Sequence, residues 1–142
     1  MLYAFLSLTA RDAMTRSVVT VAPDQSLAEL ERLFEGYSFN SCPVIEEGQL
    51  VGIVTKLDFL KAFLFDSLDP VPLYENIIQK TVRDVMTATV ITVREEQPLL
   101  TVLRTMVDLR MKSFPVVTPD GVVVGMIARE DIARAVLKST GV

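Results

Sequence analysis

Two segments of the chain combine a glycine, the end of a β-strand pattern and an aspartate in a predicted helix start. They are residues 52–58 (GIVTKLD) and residues 125–131 (GMIARED). A glycine lets another group come close to the backbone, and the free N–H groups at a helix start favour an anion. Asp58 and Asp131 could each accept two hydrogen bonds, which suits the two hydroxyls of a ribose. These segments therefore indicate ligand binding.

The same residues also have a structural explanation. Thr55 and Asp58 have the spacing of a capping box, in which the hydroxyl and the acid each pair with a backbone N–H group. An acid in the first helical turn is favourable in any case. In the second segment Ala128 lacks the hydroxyl although Asp131 is present, and capping alone gives little reason for that aspartate. Ligand binding and capping both stay open, and they are not exclusive.

The composition excludes several kinds of site. The chain of 142 residues has no histidine, which excludes Ser-His-Asp and Cys-His catalysis and imidazole metal sites. Its single cysteine, Cys42, excludes a disulfide scaffold and a four-cysteine zinc site. The net charge of −4 and the pI near 4.8 argue against nucleic-acid binding. Because no nucleophile–base pair, P-loop or metal-ligand cluster is recognisable, we predict that the protein is not an enzyme and requires no cofactor.

The first ten residues are apolar and could be mistaken for a targeting signal. Residues 2–8 follow no Lys or Arg and are too short to span a membrane, so we expect 1–10 to be a lead-in segment that packs on the fold. No other stretch reaches about 18 apolar residues. We therefore expect a soluble cytoplasmic protein without membrane contact, in which Cys42 is a reduced, buried thiol.

The chain is an internal duplication. Aligned at an offset of 72 residues, and of 73 after a turn, the two copies are identical at 18 of 53 positions. Chance would give roughly one identity in fifteen. The matching pairs are RDAMT (11–15) with RDVMT (83–87), VVTV (18–21) with VITV (90–93), PVI (43–45) with PVV (115–117), and the two glycine–aspartate segments.

Each copy predicts the order β-α-β-β-α. The first copy has a β-branched strand at 18–21, apolar residues at helical spacing from Leu27 to Tyr37, a hairpin with strands at 43–45 and 50–54, and a helix at 58–65. The second copy predicts the same elements at 90–93, 99–110, 114–117, 122–127 and 131–137. Residues 64–82 join the copies, with a helical segment at 73–80. The predicted fold class is α+β (mixed α/β), with the tandem repeats packed sheet to sheet.

This ordered set of motifs, present twice, resembles the CBS domain, and the tandem resembles a CBS-domain pair, or Bateman module. The resemblance rests on Arg-Asp-x-Met-Thr, the Thr-Val of the first strand, the Pro-Val before the hairpin, and GIVTKLD with its weaker counterpart. It divides the chain into a lead-in at 1–10, a first CBS repeat at 11–65, a linker at 66–79 and a second CBS repeat at 80–138.

Members of this family bind AMP, ADP, ATP or S-adenosylmethionine in clefts between the repeats. The resemblance implies that Asp58 holds a ribose and Thr55 a phosphate in one cleft, and that Asp131 holds the ribose in the other, where Ala128 replaces the family's hydroxyl. Adenine contacts are implied for Met86, Ile91 and Met111 in the Asp58 cleft and for Met14, Val19 and Phe39 in the Asp131 cleft. Phosphate contacts are implied for Asn40 and Ser41, for Lys112 and Ser113, and for Lys56 and Arg129. Core packing for the apolar residues and solvation for the charged ones are the alternatives.

The resulting prediction is a regulatory protein that binds an adenosine-containing ligand with unequal affinities, higher in the Asp58 cleft. The resemblance also implies a homodimer, and an effector protein would read the signal. The alternative is a ligand-independent dimerisation or protein-interaction module.

Overall fold

The protein is described by a computed structural model, which covers residues 2–37, 41–64 and 74–141. Two compact units divide the chain. One is formed by residues 19–90, and we call it the Asp58 unit. The other is formed by residues 1–18 together with 91–142, and we call it the Asp131 unit.

In chain order, the described elements are α1 (Leu2–Leu6), α2 (Ala10–Ala13), α3 (Leu27–Gly36), β1 (Ser41–Glu46), β2 (Gln49–Thr55), α4 (Lys56–Lys61), α5 (Tyr74–Ile78), α6 (Val82–Val85), β3 (Val93–Arg94), α7 (Leu99–Leu109), β4 (Ser113–Val117), β5 (Val123–Ala128) and α8 (Arg129–Ser139).

In the Asp58 unit, the predicted hairpin is confirmed. Strands β1 and β2 pair antiparallel, and the two residues between them, Glu47 and Gly48, both have positive φ angles, of 52° and 79°. That geometry is a two-residue hairpin turn whose twist matches the strands. Helix α3 packs its buried Leu27 and Leu30 against the buried side of this hairpin. Ile77 of α5 and Val82 of α6 are buried in the same core.

The predicted strand at 18–21 is wrong, because only Val21 pairs, in a parallel bridge to Val44. The backbone bonds there are Val21 N–H to the Pro43 carbonyl and Ile45 N–H to the Val21 carbonyl. The next bond of a parallel ladder would require an N–H group from Pro43, which proline lacks. The carbonyl of Val19 accepts a hydrogen bond from the Cys42 thiol instead, at 3.0 Å.

The Asp131 unit has the same plan with one more strand. Strand β4 pairs antiparallel with β5 and parallel with the two-residue strand β3. Phe114 on β4 is fully buried with Val102 and Met106 of α7. Helix α1 lies against α7 and α8, and its Phe5 is buried in the same core. The apolar lead-in therefore packs on this unit.

The two units of the structure do not coincide with the two copies in the sequence. Thr15, from the start of the chain, exchanges two backbone hydrogen bonds with Met126 of β5, at 2.8 and 2.9 Å. Thr87, which ends the same motif in the second copy, makes the same pair of bonds with Ile53 of β2. Each Arg-Asp-x-Met-Thr motif thus completes the hairpin of the other copy. The repeat boundaries given above stay a prediction.

The mixed α/β fold class is confirmed by these elements. Within the described residues, no helix has the length and apolar character that crossing a bilayer requires.

Candidate functional site

The aspartate of the first segment lies where β2 ends and α4 begins. Thr55 N–H donates to Asp58 Oδ2 at 2.9 Å, and Asp58 N–H donates to Thr55 Oγ1 at 3.0 Å. The capping box is therefore formed. Asp58 is half-buried, and within the described chain its Oδ1 atom accepts no hydrogen bond. One carboxylate oxygen thus remains available for a ligand.

In the second segment, both carboxylate oxygens of the aspartate already accept hydrogen bonds from the protein. Ala128 N–H donates to Asp131 Oδ2 at 2.7 Å. Asp131 Oδ1 accepts from Thr15 Oγ1 at 3.1 Å and from Arg134 Nη2 at 2.5 Å. The Asp131 side chain is only 7% exposed. Since Ala128 has no hydroxyl, Thr15 and Arg134 are what give this carboxylate a structural reason to be present.

At the glycine of each segment, another part of the chain comes close to the backbone. A Cβ added to Gly52 would lie 2.7 Å from Met86 Sδ and 2.9 Å from the Thr87 carbonyl oxygen. A Cβ added to Gly125 would meet Met14 Sδ at 2.8 Å and the carbonyl oxygen of Thr15 at 3.0 Å. The structure therefore brings Met86 to the Asp58 segment and Met14 to the Asp131 segment.

Two other predicted residues of the Asp58 unit have defined places. Ser41 begins β1 and lies opposite Thr55 in the strand register. Val19 is half-buried and packs against the core of this unit. The predicted contacts of Phe39 and Asn40 fall outside the described residues. Ser41 is thus the predicted polar residue that the fold holds closest in register to the capping box.

The Asp131 unit contains the remaining predicted residues. Lys112 and Arg129 are exposed, and Arg129 N–H donates to the Lys112 carbonyl at 3.0 Å. Ser113 lies opposite Ala128 in the register of β4 and β5. Met111 packs partly buried on the core, whereas Ile91 is exposed. The backbone therefore places the start of β4 beside the start of α8, as in the Asp58 unit.

Sequence reasoning missed Thr15 and Arg134 as partners of Asp131. Arg134 could have been found, because residues three apart on a helix face are neighbours and opposite charges pair there. Thr15 is 116 residues away from Asp131 in the chain. Only the exchange of motifs between the two copies brings it there.

The arginine of each Arg-Asp-x-Met-Thr motif forms an ion pair within its own unit. Arg83 Nη2 lies 2.6 Å from Glu46 Oε2 at the end of β1. Arg11 Nε lies 2.9 Å from Glu95 Oε2, and this hydrogen bond raises the pKa of the Arg11 guanidinium. These pairs attach the motifs to their units and leave the aspartates of the candidate sites untouched.

Titration and metal binding add little to the site. Burial raises the pKa of the Cys42 thiol to about 12, so this thiol stays protonated in the folded protein. Among the described residues, no three Cys, Asp or Glu side chains are grouped so that they could hold a metal ion. The chemistry that the geometry supports is hydrogen bonding by carboxylate and hydroxyl groups.

A family model for the CBS domain matches residues 10–64 and 82–138. The chain belongs to the CBS domain family. The match overlaps both predicted repeats, without residue 65 of the first and residues 80–81 of the second.

Solved CBS-domain pairs share this fold. The CBS-domain pair of protein MJ0100, in complex with 5′-methylthioadenosine and S-adenosyl-L-methionine, is 29% identical and has a TM-score of 0.76. The similarity covers 92% of this chain and 97% of that one. CBSX2 in complex with AMP is also 29% identical, with a TM-score of 0.81, and 94% of this chain and 98% of that one are covered. CBSX2 is a CBS-pair protein from Arabidopsis thaliana.

A curated relative is an enzyme of greater length. L-aspartate semialdehyde sulfurtransferase of Methanocaldococcus jannaschii is 31% identical over 125 residues, which cover 87% of this chain. The chain spans only 22% of that enzyme's length. The similarity is therefore to a part of that enzyme.

Proposed function

We propose that this protein is a regulatory CBS-domain pair that binds an adenosine-containing ligand, such as AMP, ADP, ATP or S-adenosylmethionine, with Asp58 as the principal ribose-binding residue. The observation that carries the proposal is the Asp58 carboxylate, of which Oδ1 is unpaired within the described chain. Relatives of similar fold and length were solved with AMP, or with methylthioadenosine and S-adenosylmethionine.

The chemistry at Asp58 suits a nucleoside. An ionised carboxylate is an acceptor only, with room for about four hydrogen bonds, and ribose offers two neighbouring hydroxyl donors. Backbone Thr55 N–H takes one acceptor position of Oδ2, so Oδ1 is left for the sugar. Capping and ribose binding are therefore compatible at this residue.

The Thr55 hydroxyl has a second role in the proposal. Its oxygen accepts the N–H of Asp58, which leaves the hydroxyl proton available to donate to a phosphate oxygen. Lys56 is exposed at the first position of α4, with its Nζ 5.9 Å from the centre of the Phe34 ring. We propose that this ammonium group supplies a positive charge near the phosphate, and that Met86 and Ser41 border the ligand.

The second ligand site, at Asp131, is proposed to be weaker. A ligand hydroxyl there must compete with Thr15 and Arg134 for a nearly buried carboxylate. Met14, Lys112 and the other residues implied for this site stay a proposal. The two sites therefore offer unequal affinity for the same ligand.

Regulation requires that the ligand distinguish two arrangements of the protein, since a ligand shifts an equilibrium only by its differential affinity. We propose that a homodimer or an effector protein reads this shift, in the cytoplasm. We propose that the binding residues hold the ligand by hydrogen bonds without transforming it.

A second candidate function is a ligand-independent interaction module. It is favoured by exposed apolar side chains on two helices, Leu57 and Leu60 on α4 and Val107 on α7. Exposed apolar patches mark protein contacts when they are contiguous. Dimerisation through such a helix would need no ligand.

Thermal unfolding with AMP, ATP, S-adenosylmethionine and methylthioadenosine tests the proposal. A ligand at a hundredfold excess over its Kd stabilises the protein by about 2.7 kcal/mol, which raises Tm in a concentration-dependent way. Asp58→Asn keeps a capping oxygen but loses the charge, and we expect it to weaken binding about tenfold, the value of one charge-assisted hydrogen bond.

The matched control is Asp12→Asn. Asp12 accepts from Thr9 N–H at 2.8 Å, as Asp58 accepts from Thr55 N–H, but Asp12 lies in the Asp131 unit. Its substitution removes the same charge and should leave affinity for the principal site unchanged. No rise in Tm with any of the four ligands would contradict the proposal and favour the interaction module.

A further inference from the structure

Arg134 is an exposed residue that pairs with a nearly buried one. Its side chain is 66% exposed, yet its guanidinium reaches back one turn of α8 to Asp131, which is only 7% exposed. The exposed cation therefore occupies the outer side of a carboxylate that is otherwise buried. Any hydroxyl group that binds Asp131 Oδ1 must take the place of this guanidinium or of Thr15.

The Asp58 unit shows the same backbone without this contact. Lys61 holds the position of Arg134, three residues after the aspartate, and Thr87 holds the position of Thr15. Among the described residues, neither side chain bonds to Asp58, whose hydrogen bonds are made with Thr55 alone. Of the two aspartates, only Asp131 is thus bonded to the side chains at these two positions.

Resting on the proposed function, we propose that Arg134 is a specificity-determining residue of the Asp131 site: it competes with ligand hydroxyls for the carboxylate, and so selects ligands that carry an anionic group to receive the displaced guanidinium. A neutral nucleoside that takes the place of the guanidinium at Asp131 leaves that guanidinium without its anionic partner. A nucleotide offers phosphate oxygens instead, which guanidinium binds in bidentate geometry.

The charge of the ligand therefore decides the outcome at this site. AMP exchanges one anionic partner of Arg134 for another, whereas adenosine takes a partner away and gives none back. S-adenosylmethionine carries a sulfonium cation, which repels the guanidinium, and also a carboxylate, which attracts it, so AMP against adenosine is the comparison that isolates the effect. At Asp58, Lys61 is not paired to the carboxylate within the described residues, so a nucleoside that binds there separates no ion pair.

Isothermal titration of the full chain with adenosine and with AMP tests this proposal. Asp58→Asn is the background, so that the Asp131 site can be measured with the principal site weakened. In this background we expect Arg134→Gln to bind adenosine about tenfold more tightly, because one charge-assisted hydrogen bond no longer competes. AMP affinity should stay about the same, because the loss of the competitor and the loss of the phosphate partner offset each other, so the ratio of AMP to adenosine affinity falls about tenfold.

Two variants serve as controls. Lys61→Gln in the same background removes a charge at the equivalent position of the other unit and should leave the ratio unchanged. Arg134→Lys keeps the charge without the fork of donors, so its ratio should lie between that of the Asp58→Asn background and that of Arg134→Gln. It also keeps the experiment informative if Arg134→Gln fails to fold.

The outcomes separate the two proposals. If Arg134 only stabilised the fold, Arg134→Gln would weaken adenosine and AMP together, and the unchanged ratio would overturn the selectivity proposal. The absence of any binding in the Asp58→Asn background, with or without Arg134, would overturn it as well. Absence of AMP and adenosine binding by the unmodified chain would instead overturn the proposed function.

Discussion

Asp58 and Asp131 occupy the same place in two copies of one fold, and their surroundings differ in a way that the motif does not show. Both accept the N–H of the residue at the strand end, at 2.9 and 2.7 Å. Asp131 then uses its second oxygen for Thr15 and Arg134, while Asp58 leaves that oxygen open among the described residues. The partners of a motif residue, rather than its presence, therefore decide whether it can bind a ligand.

The two aspartates should therefore contribute differently to stability. Asp131→Ala removes three hydrogen bonds from a nearly buried carboxylate, and we expect it to lower the free energy of unfolding by about 3 kcal/mol. Asp58→Ala removes one end of a capping box and should cost about 1 kcal/mol. Urea denaturation followed by circular dichroism gives both values. Equal losses would mean that the two carboxylates are not distinguished by their partners.

Much of the local structure could be predicted from the sequence. The helices and hairpins follow from apolar spacing and turn residues, which act within a few positions along the chain. The absence of a strand at 18–21 could also have been predicted, because Pro43 has no N–H group to extend the ladder. A proline at the matching position, Pro115, explains why β3 begins only at Val93.

The surroundings of Asp131 could not be predicted in the same way. The Thr15 hydroxyl reaches Asp131 because residues 10–15 fold with the second copy rather than the first. Nothing in the periodicity of either copy encodes that exchange, since it depends on packing between distant segments. The candidate ligand residues were predicted by resemblance, and what the structure adds is which of their atoms are already occupied.

The two glycines, unlike the two aspartates, should behave alike in both units. A methyl group at Gly52 would meet the Thr87 carbonyl oxygen at 2.9 Å, and one at Gly125 would meet the Thr15 carbonyl oxygen at 3.0 Å. The methionine sulfur atoms nearby could move, but a backbone oxygen in a bridge cannot. We expect Gly52→Ala and Gly125→Ala each to lower the free energy of unfolding by about 2 kcal/mol.

Thermal denaturation of the two glycine variants checks this expectation, with Gly36→Ala as the control. A Cβ on Gly36 meets nothing within 4 Å, and Gly36 lies in α3, where alanine is the better helix former. Gly36→Ala should therefore be neutral or stabilising. If Gly52→Ala lowered the free energy of unfolding and Gly125→Ala did not, the backbones of the two units would differ. The different surroundings of Asp58 and Asp131 would then follow from the backbone.

The smallest expected effect concerns a core position that holds an ionisable side chain in the Asp58 unit and a non-ionisable one in the Asp131 unit. Cys42 of the Asp58 unit is fully buried, and the matching residue of the Asp131 unit is the equally buried Phe114. Burial raises the pKa of the Cys42 thiol from the usual 9.0 to about 12. The folded state thus keeps a proton that the unfolded chain releases above pH 9, and the contribution of this thiol to stability is present below pH 9 and lost as the pH rises towards 12.

Urea denaturation at pH 8 and pH 10 measures that loss, with Cys42→Ala as the reference that has no thiol. The free energy of unfolding of the unmodified chain should fall about 1 kcal/mol further between these pH values than that of Cys42→Ala. Tyrosine and lysine titrations occur in both proteins and cancel in the difference. Parallel pH profiles would contradict a protonated, buried Cys42 in the core of the Asp58 unit.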